Sequence, residues 1–138
     1  MFIADVGQDA FEEVDIGAKG ANFGWNTMEG LHCFNSPSGC NTAGLTMPIT
    51  EYSHSEGDAV IGGFVYRGSN VPSLQGLYVF GDLSSGKVFA LKETSPGVWT
   101  RSLLTNTGKT ISSFGRDQSG ELYLVDIGTG TVFKITSR

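Results

Sequence analysis

Two stretches decide the fold. The first is Gly76-Leu77-Tyr78-Val79-Phe80-Gly81-Asp82-Leu83-Ser84-Ser85-Gly86-Lys87-Val88-Phe89-Ala90-Leu91. The second is Gly120-Glu121-Leu122-Tyr123-Leu124-Val125-Asp126-Ile127-Gly128-Thr129-Gly130-Thr131-Val132-Phe133-Lys134-Ile135. Asp82, Gly86, Val88 and Phe89 recur at one fixed interval as Asp126, Gly130, Val132 and Phe133. Each block reads strand, turn, strand: the Asp caps the turn and the Gly supplies a positive φ. A weaker third copy opens the chain, with Phe2-Ile3-Ala4-Asp5-Val6 followed by Glu13-Val14-Asp15-Ile16. A unit of this kind repeating at about 40–50 residues is the signature of a four-stranded propeller blade. A β-sandwich with two similar hairpins is the alternative.

Outside the blocks the pattern continues. Short runs rich in Val, Ile, Phe and Tyr alternate with Gly, Ser, Asn and Asp clusters, which is the mark of strands and turns. Ten strands are expected: 2–6, 13–16, 49–53, 60–67, 77–81, 87–91, 99–104, 111–115, 122–125 and 131–135. No stretch carries a sustained 3.6-residue period. The expected fold is all-β, a partial β-propeller of about two and a half blades, where complete rings have about 4–8. One domain covers 1–138: the end of one blade with an acidic loop over 1–25, a cysteine-bearing insertion over 26–50, a blade over 51–104, and a last, incomplete blade over 105–138. An incomplete ring leaves open sheet edges, so further blades are expected from another segment or a second chain.

Composition narrows the function. Of 138 residues 20 are Gly, 17% are charged, and the net charge is −5. Nucleic-acid binding is a poor fit, since phosphate contacts need clustered Lys and Arg. No apolar run approaches the roughly 18 residues of a membrane-spanning helix. Met1–Asp5 has no basic stretch followed by an apolar one, and reads as the middle of a strand rather than a signal peptide. Cys33 and Cys40 flank a loop of turn residues, as a disulfide formed in an oxidising compartment or as two free thiols. His32 and His54 both read as loop residues. Trp25 and Trp99 read as anchors of blade packing.

Asp5, Asp9, Glu12, Glu13 and Asp15 gather five acids in one short segment, with Gly7 among them. Calcium takes about 6–8 oxygen ligands from carboxylates, carbonyls and water. Such a loop can supply them, although most acidic loops are simply solvated.

Four stretches carry a resemblance to a known family. They are 5–15 with Asn22-Phe23-Gly24-Trp25; Gly62-Gly63-Phe64-Val65-Tyr66-Arg67-Gly68; Gly76–Asp82; and Ile111-Ser112-Ser113-Phe114 with Gly120-Glu121-Leu122-Tyr123. Together they resemble the C-terminal half of the glucose/sorbosone dehydrogenases. The branch with Hedgehog-interacting-protein-like propellers, which shares the cysteine loop, is the nearest in pattern. The resemblance implies a six-bladed propeller that uses pyrroloquinoline quinone (PQQ) and calcium to oxidise a sugar. It implies that the backbone carbonyls of Gly7 and Gln8 hold the calcium that binds the quinone, with Gln8 where the family usually has Pro. It implies a second calcium on the Glu13 side chain and the Phe23 carbonyl. It places the protein in the periplasm or outside the cell.

The pattern departs at the quinone. The family's enzymes hold its carboxylates with basic groups, as charge demands, and the matching positions here are Ser84, Thr110 and Ser112. Lys87, Lys109 and Arg67 are the nearest cations in sequence. The family's catalytic His, a general base, matches neither His32 nor His54, so no catalytic residue is assigned. Two readings follow. One is part of a PQQ- and calcium-dependent dehydrogenase acting on a small-molecule sugar. The other is a non-catalytic, calcium-stabilised propeller that binds proteins or carbohydrates outside the cell.

Overall fold

The computed structural model describes residues 1–137. The chain forms β1 (Phe2–Asp5), β2 (Phe11–Ile16), β3 (Met28–Glu29), β4 (His32–Cys33), β5 (Thr50–Ser53), β6 (Val60–Val65), β7 (Tyr78–Asp82), β8 (Lys87–Ser95), β9 (Val98–Asn106), β10 (Ile111–Arg116), β11 (Leu122–Asp126) and β12 (Thr131–Lys134). A single 3-10 turn spans Pro72–Leu74. Three antiparallel sheets follow in chain order: β1-β2-β5, then β6-β7-β8-β9, then β10-β11-β12. They are blades one, two and three. The architecture is that of a partial propeller, one complete blade between two three-stranded ones.

Blade two is buried on both faces, so its inner strands are apolar at successive positions rather than alternating. Tyr78 and Phe80 of β7 join Phe89 and Leu91 of β8 in a cluster with Val14 and Tyr52 of blade one. Val79 and Val88, facing the other way, join Ile111, Phe114, Leu122 and Leu124 of blade three. Phe80 and Phe89 are almost wholly buried, and each such side chain contributes about 1.5–3 kcal/mol. Packing brings the inner parts of the blades together, β1 against β6 and β6 against β10.

The repeated Asp does more than cap its turn. Asp82 accepts hydrogen bonds from the Ser85 N–H and hydroxyl and also from the Ala59 N–H, just before β6. Asp126 does the same with Gly128 and Thr129 and with the Thr110 N–H, just before β10. Each thus ties the turn to the entrance of its blade's first strand. Gly86 and Gly130 have φ of 67°, the left-handed conformation that the turn requires.

All ten expected strands form, with shifted ends. The β8–β9 hairpin runs past its buried base into an exposed tip at Gly97, where polar residues lengthen a ladder that the apolar pattern does not report. β2 starts at Phe11 rather than Glu13, because Phe11 and Glu12 pair with Ser53 and Tyr52 of β5. Glu13 is therefore mid-strand, not at a strand start. The cysteine-bearing insertion contains the short β3–β4 hairpin, with Met28 opposite Cys33. Cys33 and Cys40 are joined by a disulfide, their Cα atoms 5.7 Å apart.

Candidate metal centre

The β1–β2 turn is built around two buried carboxylates that hold backbone. Glu29 turns one oxygen, Oε1, to the N–H groups of Asp9, Ala10 and Phe11, at 2.6, 2.8 and 3.3 Å. Burial pushes the Glu29 carboxyl up, but these three hydrogen bonds outweigh it and hold it below the usual range. Glu12 accepts from the Gly7 N–H at 3.1 Å, from the Val60 N–H at 2.7 Å, and lies 2.8 Å from His54 Nε2. Gly7 has no room for a side chain: a Cβ there would lie 1.8 Å from the Phe11 carbonyl oxygen and 2.8 Å from Glu29 Oε1.

Beside this turn is a cavity of about 280 Å³ whose lining includes Asp5, Gly7, Gln8, Glu13, Trp25 and Glu29. The structure thus gathers three of the four residues expected to hold calcium: Gly7, Gln8 and Glu13. Phe23, half-buried in the loop after β2, is not among the described residues lining it. Of the five neighbouring acids, Glu12 points toward the next blade and is fully engaged, and Asp9 is exposed.

The remaining three converge. Asp5, Glu13 and Asp15 each offer an oxygen within 4.8 Å of the others. Period-two alternation puts Glu13 and Asp15 on one face of β2, and Asp5 stands directly opposite Glu13 in the ladder. Asp15 has no exposed surface, and neither of its oxygens accepts a hydrogen bond among the described residues. Burial, reinforced by Asp15, Asp5 and Glu51, pushes the Glu13 carboxyl up to about 7 against one opposing hydrogen bond from Gly30. Burial, then Asp5, pushes Asp15 up to about 6. Asp5 and Asp15 were absent from the ligand set that the resemblance implied. The signal was present in the spacing: Glu13-x-Asp15 in a strand, with Asp5 on its antiparallel neighbour.

The donor set is all oxygen and negative, which fits a hard divalent cation. It does not fit the carboxylate groups of the quinone, because no Lys or Arg is among the described lining residues. The candidate cations are elsewhere. Lys87 Nζ donates to the Glu56 carbonyl at 2.7 Å. Lys109 Nζ lies 3.9 Å from Asp126 and 5.0 Å above the Phe133 ring. Arg67 also lies outside the cavity lining. Ser84 donates to Asp58, and Ser112 to the Val125 carbonyl.

Two of the aromatic and histidine expectations change, those for Trp25 and His32. Trp25 is 56% exposed and leans on Phe34 at the cavity rim, so it does not anchor blade packing. Trp99 does, meeting the Phe2 ring edge-on. His32 belongs to β4, stacks on Phe11 at 3.8 Å and reaches Glu51 at 3.0 Å. His54 fastens the β1–β2 turn through Glu12, and its own N–H donates to the Ala10 carbonyl.

The chain is similar to known proteins in sequence and in fold. The family model for glucose/sorbosone dehydrogenase matches residues 1–134. HIPL2 protein from Arabidopsis thaliana is 42% identical over 114 residues, covering 73% of this chain and 16% of that protein. A solved glucose dehydrogenase superimposes with a TM-score of 0.76 at 21% identity, over 99% of this chain and 41% of that one. The PQQ-bound aldose sugar dehydrogenase from Streptomyces coelicolor superimposes with a TM-score of 0.65 at 16% identity, over 94% of this chain and 34% of that one. The chain therefore spans well under half the length of these relatives. With the family model matched over residues 1–134 and the partial propeller that carries it, the chain belongs to the glucose/sorbosone dehydrogenase family.

Proposed function

We propose that this chain is the calcium-binding portion of a sugar dehydrogenase propeller. The whole protein would oxidise a sugar hydroxyl with PQQ as hydride acceptor. The observation that carries this reading is the cavity that brings the Gly7 and Gln8 backbone beside Glu13, inside a segment matched by the family model. In this reading the carbonyls of Gly7 and Gln8 face the quinone's calcium, and Glu13, with the Phe23 carbonyl, serves a second. PQQ, if held by the whole protein, would supply a hydride acceptor, and a base would be needed for the hydroxyl proton. No residue of this chain is assigned that base. Ser84, Thr110 and Ser112 offer no charge to the quinone carboxylates, so their cations would have to come from a further segment or a second chain. The Cys33–Cys40 disulfide supports a periplasmic or secreted location.

A second reading is a calcium-stabilised binding propeller acting outside the cell on proteins or carbohydrates. Its support is the acidic cavity and the absence of basic side chains at Ser84, Thr110 and Ser112.

A calcium titration with and without PQQ separates the two. Tighter calcium binding in the presence of PQQ, with the reciprocal effect on PQQ, supports the dehydrogenase. Calcium binding that PQQ leaves unchanged overturns quinone binding by this chain and favours the binding module.

A further inference from the structure

We infer that Asp5, Glu13 and Asp15 together form a divalent-cation site of the calcium type, on the face of blade one that points away from blade two. It shares Glu13 with the calcium reading above. It replaces the Phe23 carbonyl with two side chains, and it does not depend on quinone chemistry.

The first argument is Asp15 itself. Its side chain has no exposed surface and no hydrogen-bond partner among the described residues. An ionised carboxylate in that state is costly unless it is paired or bound to a metal. Its place in the repeat sharpens the point. Asp15 opposes Ile3 in β1, as Phe89 opposes Phe80 in blade two and Phe133 opposes Leu124 in blade three. Phe89 is buried in the cluster shared with blade one, and Phe133 packs against the cluster that blade three shares with blade two. Blade one puts a carboxylate where its sister blades put a phenyl ring, and packing alone gives no reason for that exchange.

The second argument is geometric. Two oxygens on opposite sides of a calcium ion, each about 2.3–2.6 Å from it, stand roughly 5 Å apart. The three carboxylates meet that limit, with ligand atoms all within 4.8 Å. Asp5 is exposed and lines the cavity, which gives an ion a way in.

The third argument is that Glu12, Glu29 and Glu51 are spent on other partners, whereas Asp15 has none among the described residues and Glu13 meets the Gly30 N–H. Glu12 is used by Gly7, His54 and Val60. Glu29 is used by the β1–β2 turn. Glu51, opposite Glu13 on β5, accepts from the Leu31 N–H at 2.6 Å and meets His32. Three carboxylates with oxygen-only donors select a hard cation over zinc or copper.

The test is calorimetric calcium titration of the chelator-treated 138-residue chain and of Asp15→Asn, Asp5→Asn and Phe23→Ala. Asp15→Asn and Asp5→Asn are each expected to weaken calcium binding on the order of tenfold or more, since affinity follows ligand charge. Phe23→Ala, which keeps its carbonyl but removes the ring, is expected to bind as the parent does. Asp15→Asn removes a buried charge and keeps the shape, so its metal-free form should melt no lower than the parent. Parent-like calcium affinity in Asp15→Asn overturns the proposal, even if Glu13→Gln loses binding. Absence of calcium binding by the folded parent also overturns it. A calcium response that PQQ leaves untouched, yet that Asp15→Asn abolishes, sustains this site while removing the quinone reading.

Discussion

Asp5 and Glu13 stand directly opposite each other in the β1–β2 ladder. Like charges in that position oppose strand pairing. Asp15 adds a third carboxylate at the next same-face position of β2, with its own oxygens unpartnered among the described residues. The pairing nevertheless holds from Phe2–Ile16 to Asp5–Glu13. Protonation or a cation relieves the conflict, and each has a measurable consequence.

The first is a pH dependence of the metal-free chain. Glu13 and Asp15 have carboxyls raised to about 7 and about 6. A raised carboxyl means that the folded state holds the proton more tightly than the unfolded one. The stability is then full below the unfolded range and is lost as pH rises through the folded values. With chelator present, the melting temperature should therefore fall between about pH 4 and pH 7 by on the order of 5 °C. Glu13→Gln and Asp15→Asn should each flatten this fall. A parental slope retained in both variants would remove these two groups as its source.

The β1–β2 turn has no space for a methyl group at Gly7. A Cβ there would overlap the Phe11 carbonyl oxygen and press on Glu29. Gly7→Ala should cost about 1–3 kcal/mol and weaken calcium binding, because the turn that lines the cavity must shift. Urea unfolding combined with the calcium titration reports both effects. An unchanged midpoint would show that the turn relaxes freely.

Glu12 joins blade one to blade two. Its removal as Glu12→Ala leaves the buried Val60 N–H and the Gly7 N–H without their acceptor. A loss of about 2–4 kcal/mol is expected. Glu12→Gln, which keeps an oxygen acceptor, should lose less. Amide exchange should quicken at Gly7 and Val60 in Glu12→Ala while the β10–β11 ladder stays protected.

The disulfide closes a short loop. Its effect on the unfolded chain is about 2–3 kcal/mol by loop entropy. Cys33→Ser with Cys40→Ser should open the β3–β4 hairpin to amide exchange and leave the core around Phe80 and Phe89 protected. Since Met28 and Glu29 of that hairpin line the cavity, calcium affinity should also fall. Unchanged exchange at Met28 and at position 33 would show that the hairpin stands without the bond.

Much of this was legible in the sequence because the signals were local. The recurrence of Asp82, Gly86, Val88 and Phe89 as Asp126, Gly130, Val132 and Phe133 reports a turn and two flanking strands. Those depend on neighbours a few residues away. All ten strands followed from the same logic, whereas the family came from the resemblance carried by four stretches. The acidic stretch from Asp5 to Asp15 was visible, but its division of labour was not. Alternation along β2 separates Glu12 from Glu13, yet the partners that consume Glu12 lie 42 and 48 residues away, at His54 and Val60. Trp25 was misjudged as a packing anchor for a related reason, since exposure depends on what the surrounding loops cover.

Residue order alone thus determined an all-β chain of repeated blades with an oxygen-rich turn, because turn chemistry and apolar runs act over short range. The tertiary structure decided which acids remain free to meet an ion. It did so by spending Glu12, Glu29 and Glu51 on backbone N–H groups and histidines brought in from distant segments. Asp15 was left buried with no hydrogen-bond partner among the described residues, because burial is a property of the assembled sheet and no single strand contains it.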